Sequence, residues 1–244
     1  MTNTLNIDAL SRKIDDKKAD LIQLTQDLIR IPTLNPPGEF YDDIVHFLGD
    51  RLQKKQFGIE YFRAEDTPGD SDHYPRMNIV ARHDGGAGPC VHFNSHIDVV
   101  AVGKNWTHDP FAASLVGDRI FGRGACDMKG GLAASIIAVE AYLELHPDHP
   151  GAIEISGTAD EETGGYGGVA YLAEKGIMAK PRIETAEDEA MVAAWYKVLN
   201  LFSDLGELEK MYLPLLVYPE AGLEANQVLV EKKMAPNPAL WAWH

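Results

Sequence analysis

Cysteine is scarce in this chain. Cys90 and Cys126 are the two present in 244 residues, and neither belongs to a CxxC pair. A disulfide framework and a thiolate zinc knuckle are therefore excluded. Long apolar runs are missing too: none approaches the roughly 18 residues that a membrane-crossing helix needs. Residues 1–18 are polar and hold no apolar core of the signal-peptide kind. Positive charge is also short, with 22 Lys and Arg against 37 Asp and Glu, a net charge of −15. That balance argues against nucleic acid and anionic membranes as partners, since both need stripes of Lys and Arg. A cytoplasmic protein is the expectation.

What is present is enough apolar material for a packed domain: 45% of residues are hydrophobic. Residues 8–29 carry Leu10, Ile14, Leu21, Leu24 and Leu28 at helical spacing, and residues 41–55 repeat the pattern with Ile44, Leu48 and Leu52. Between them, Asn35-Pro36-Pro37-Gly38 reads as a rigid turn. Strands are predicted over 59–64, 78–82, 90–94 and 152–156, and a hairpin over 113–121 turning at Gly117-Asp118. Helices are predicted over 132–145 and 167–175. Strands alternating with helices predict an α/β fold: a mostly parallel twisted sheet flanked by helices. In such sheets ligands sit beyond the carboxyl ends of the strands. From Arg182 the strand–loop–helix order stops. A boundary is placed there, with a domain over 1–181 and a divergent, largely helical or irregular tail over 182–244.

Three polar clusters each fall after an apolar strand or bend. His96-Ile97-Asp98 follows Val91-His92-Phe93. Residues two apart on an extended segment share a side, and a neutral imidazole whose other nitrogen is held by a carboxylate is a good zinc ligand. By itself the pair reads more simply as a polar strand end. The second cluster is the glycine-rich bend 122–131, which places Asp127 just before a helix with little steric hindrance. A phosphate loop is the rival, but the G-x-x-x-x-G-K-[ST] order is lacking and a central carboxylate repels phosphate. The third is Asp160-Glu161-Glu162. Three adjacent acids repel one another unless solvated or neutralised by a cation. Together the clusters supply imidazole nitrogen and carboxylate oxygen, the donors that zinc and similar divalent cations take.

These residues resemble the M20 metallopeptidases, the group of acetylornithine deacetylase, succinyl-diaminopimelate desuccinylase, aminoacylase-1 and the glutamate carboxypeptidases. The resemblance runs from about residue 15 to 181. It is carried by Ser95-His96-Ile97-Asp98-Val99-Val100, by Gly122-Arg123-Gly124 through Asp127-Met128-Lys129-Gly130-Gly131, and by Asp160-Glu161-Glu162 with Gly164. It implies two Zn2+ ions, with Co2+ as a substitute. His96 and Glu162 would each bind one ion, and Asp127 would bridge both through a cis peptide to Met128. It implies that Asp98 orients His96 and that Glu161 is the general base. The implied reaction is hydrolysis of an amide in an N-acyl amino acid or small peptide by a zinc-activated water.

The same resemblance implies two further ligands, an acid on the strand after the Glu-Glu pair and a late histidine, together with an inserted lid domain. The corresponding acidic window, 184–189, has no apolar strand leading into it, and His244 is the one histidine after residue 149. A second reading therefore stands beside the enzyme: a truncated, catalytically incompetent family member that acts as a metal-binding or interaction module. Apolar surface left uncovered by a missing half predicts self-association into a homo-oligomer.

Overall fold

The structure is a computed structural model that describes residues 7–178. The 181 boundary, the acids of 184–189, the helical stretch and tail beyond, and His244 all lie outside the described residues.

The amino-terminal helical pattern forms two helices, α1 (Ile7–Asp16) and α2 (Lys18–Arg30), parted at Lys17. The apolar phase continues across the break, so Leu10, Ile14, Leu21, Leu24 and Leu28 are all buried in one core. Periodicity could not show the interruption, because it falls in the charged stretch Asp15-Asp16-Lys17-Lys18. Next come α3 (Tyr41–Gln53), β1 (Gly58–Arg63), β2 (Met77–Asp84) and β3 (Cys90–His96). The expected hairpin is β4 (Ser114–Val116) with β5 (Arg119–Phe121), turning through Gly117 at φ 65°, where glycine carries no steric penalty. After a kinked bend, α4 (Gly130–Leu145) runs to the residue pair before Pro147, where the helix ends. Then follow β6 (Ala152–Thr158) and a single helical turn, α5 (Tyr171–Glu174). The helix predicted over 167–175 is this short because Gly168 takes non-helical angles (φ −115°, ψ −112°).

The four-stranded sheet has the order β1-β2-β6-β3. Its α/β layering matches the expectation, but the sheet is mixed. β3 and β6 pair in parallel, whereas β1·β2 and β2·β6 are antiparallel. The reason is the connection. Loops without a crossover helix join β1 to β2 and β2 to β3, so the chain turns back twice, while α4 carries it from the hairpin over the sheet to β6. One sheet face presents Ile79, Ala81, Phe93, Ile153 and Ile155 to α3 and α4. The alternate residues form a buried polar ladder. The Glu154 carboxylate lies 2.9 Å from Arg82 and 2.8 Å from His92, whose other ring nitrogen is 2.9 Å from the Ser156 hydroxyl.

Helix α4 is buried almost all round, including the carboxylate of Glu140. Arg51 of α3 grips that carboxylate with two hydrogen bonds, Nε to Oε1 at 2.9 Å and Nη2 to Oε2 at 3.0 Å, and Lys55 stands at 3.6 Å. Removing Arg51 takes both hydrogen bonds from this buried carboxylate and leaves it only the more distant Lys55 and Lys17, at 3.6 and 3.9 Å. Arg51→Met is therefore expected to cost about 3 kcal/mol of stability, measured by urea denaturation of the two proteins side by side.

No described helix is long and apolar enough to cross a membrane.

Candidate metal centre

The parallel pair β3–β6 ends in register, His96 opposite Thr158. The Ile97 amide donates to the Thr158 carbonyl at 2.9 Å, so the chains beyond both strands leave the sheet side by side. His96 is the last residue of β3, and Asp160-Glu161-Glu162 begin just past β6. The bend before α4 brings Asp127 in from a third direction. Asp127 is extended (φ −120°, ψ 96°) between two helical stretches, and its peptide to Met128 is cis. Gly124 precedes it at φ 82°, where a Cβ would collide with Val99.

The five residues singled out in the sequence converge. Nδ1 of His96 lies 3.0 Å from the Asp98 carbonyl oxygen, which can only accept, so the ring carries its hydrogen there. The Asp98 carboxylate is farther, at 3.4 Å. The main chain of Asp98 thus holds the ring more closely than the carboxylate expected to do so. Nε2 faces the opposite way, 2.9 Å from Asp127 Oδ1 and 3.8 Å from Glu161 Oε2. His96, Glu161 and Glu162 each offer a ligand atom, all within 4.8 Å of one another.

Asp98 stands behind this group, wholly buried, and works through the main chain. Oδ1 accepts the Glu161 amide at 3.2 Å and Oδ2 accepts the Glu162 amide at 3.1 Å. One carboxylate therefore fixes the backbone of both glutamates. Asp160, in left-handed conformation at φ 61°, starts the tight turn that projects them.

The charges fit a divalent cation. Among the described residues no lysine or arginine pairs with Asp127, Glu161 or Glu162. Burial, with Asp127 close by, pushes the Glu162 carboxyl up to about 7. His96 is disfavoured as a cation by burial, yet its contacts with Asp127 and Asp98 outweigh this and raise it to about 10. An imidazole among carboxylates that no lysine or arginine pairs is the donor set that zinc, cobalt or manganese accepts.

Sequence reasoning passed over several supporting residues. Lys129 is fully buried, and its ammonium donates to the carbonyls of Leu28 at 3.0 Å and Ile31 at 2.6 Å, closing the end of α2. Burial pushes it down to about 7, with Asp98 acting in the other direction. Lys129→Met is expected to remove one donor from each of these carbonyls, which keep the Ile31 and Thr33 amides at 3.3 and 3.0 Å, and to lower stability by about 1 kcal/mol, read from the thermal unfolding transition. Asn35, Tyr41, Arg76 and Asn78 are also buried around the site, and no local pattern assigned them to it.

A sequence profile for Peptidase family M20/M25/M40 matches residues 92–218, just over half of the chain. The chain belongs to this peptidase family. The match starts two residues into the β3 strand and takes in His96, Asp127 and the Glu161-Glu162 pair. The fold agrees. Human carnosine dipeptidase 1 superposes with a TM-score of 0.58 at 24% identity, over 69% of this chain and 38% of that one. The dipeptidase Dug1p of Saccharomyces cerevisiae gives 0.54 at 21% identity, over 65% and 36%. The M20-family chain spans less than two fifths of the length of either relative.

Proposed function

We propose that this M20-family chain is a metal-dependent hydrolase of an amide bond in a small peptide or N-acyl amino acid. The observation that carries the reading is the convergence of His96, Asp127, Glu161 and Glu162, with no lysine or arginine partner among the described residues, at the carboxyl ends of β3 and β6. The two similar structures are those of dipeptidases, which agrees with a substrate of this size.

In this reading His96 offers Nε2 as a ligand and Glu162 offers a carboxylate. Asp127 lies against His96 and its charge acts on Glu162, which supports the bridging role that the family resemblance implies for it. A bound pair of divalent ions, zinc or cobalt, would lower the pKa of a water at the site and polarise the scissile carbonyl. Asp98 holds the glutamate backbone and the His96 ring in place. Glu161 is the most exposed of the acids, 57% by its side chain, and reaches into the site from the rim. It is suited to take the proton from water and return it to the leaving amine. The remaining ligands that the family resemblance implies lie outside the described residues.

Hydrolysis of a panel of dipeptides and N-acyl amino acids, with added zinc or cobalt and again with a chelator, tests this function. Turnover that the chelator abolishes and the metal restores is expected. Metal uptake without turnover on any member of the panel would favour the metal-binding module instead.

A further inference from the structure

Asn35 lies at the junction of the two most buried acids of the site. It precedes the Pro36-Pro37 pair, on a segment that pairs with the chain leaving β3. The Asn35 amide donates to the Val99 carbonyl, and the Val99 amide to the Thr33 carbonyl, both at 2.9 Å. The Thr33 hydroxyl closes on the Ile97 carbonyl. This parallel bridge aims the Asn35 side chain at the back of the site. There Nδ2 lies 2.9 Å from Asp98 Oδ2, 3.1 Å from Asp160 Oδ1 and 2.9 Å from the Thr163 hydroxyl. The opposite atom, Oδ1, is buried and accepts from no donor among the described residues. Turning the amide over would set that oxygen against two carboxylates, so the observed orientation is the stable one.

We propose that Asn35 is a positioning residue for the metal centre, an inference that rests on the proposed function above. Its amide ties Asp98 to Asp160, and these two acids define the turn from which Glu161 and Glu162 project. Asp98 accepts both glutamate amides, while Asp160 opens the turn and is anchored on its other oxygen by Arg76 Nε at 2.9 Å. Without the amide bridge the two buried carboxylates face each other, with Arg76 and the Tyr41 hydroxyl left on the Asp160 side alone, and their repulsion moves the turn. An amide suits the position because it donates two hydrogens without bringing charge. A lysine or arginine there would join the same acids but would offset the negative potential that draws a cation to His96, Asp127 and Glu162. Asn35 touches none of the candidate ligand atoms itself, so it acts through Asp98 and the glutamate backbone.

The test uses the full chain as wild type, Asn35→Ala and Asn35→Ser. Zn2+ affinity is measured by competition with a chromophoric chelator, the visible spectrum is recorded after loading with Co2+, and the metal-free proteins are melted. Asn35→Ala is expected to bind Zn2+ roughly 10–100-fold more weakly and to shift the Co2+ absorption bands, which report ligand geometry. Asn35→Ser, which keeps one donor, should lie between it and wild type, and it carries the comparison if Asn35→Ala does not fold. Wild-type affinity and an unaltered Co2+ spectrum in a variant that still melts cooperatively would overturn the inference while leaving the proposed function standing. A wild-type protein that takes up neither metal would remove both.

Discussion

Replacing Glu161 with glutamine is expected to lower kcat/KM by roughly 10²–10⁴-fold, the usual contribution of a positioned general base, while leaving metal content unchanged. The substitution keeps the shape and one carboxamide oxygen but removes the capacity to hold a proton at that place. Glu161 is suited to the role by position. Its backbone is fixed by Asp98 Oδ1, yet its side chain is exposed at the mouth of the site, 3.8 Å from His96 Nε2. The neighbouring Glu162 is half-buried, which fits a group that stays bound to an ion while Glu161 handles protons. Single-turnover hydrolysis and metal analysis on the same preparation check the prediction. Joint loss of activity and metal would reassign Glu161 as a ligand, a role its distance from His96 and Glu162 also permits.

His96→Ala is expected to weaken divalent-metal binding more than 100-fold, beyond the roughly 10–100-fold that loss of an outer partner costs. His96 is the one imidazole in the described group, and the Asp98 main chain already orients its ring. Its loss removes the nitrogen donor and leaves Asp127, Glu161 and Glu162 with no positive group at all. The repulsion among them should in turn make the metal-free variant less stable than wild type. Equilibrium zinc titration and thermal melting of the metal-free proteins measure the two effects separately.

Much of the candidate site could be read in the sequence because its residues sit at places where local rules are strict. His96 and Asp98 follow an apolar strand, Asp127 sits on a glycine bend before an apolar helix, and Glu161-Glu162 follow a second strand. In an α/β fold such positions gather at one edge of the sheet. The helices α3 and α4 and the β4–β5 hairpin were legible for the same reason, since apolar spacing and the Gly117-Asp118 turn define them locally. Strand direction was not. Whether β2 runs with or against β6 depends on the turn between β2 and β3 and on the crossover from β3 to β6, which no side-chain period encodes. The break at Lys17 was hidden by an apolar phase that continues across it. Asn35 was visible only as part of a proline turn. Its contacts with Asp98, Asp160 and Thr163 join residues 63, 125 and 128 positions away, and tertiary pairing of that range leaves no trace in local pattern.

The central claim is that His96, Asp127, Glu161 and Glu162 form a divalent-metal centre. Elemental analysis of the purified full chain after zinc loading and removal of free metal, with His96→Ala treated in parallel, tests it most directly. The account predicts bound zinc in the wild type and its loss in the variant. Equal zinc in both proteins, or none in either, would contradict it.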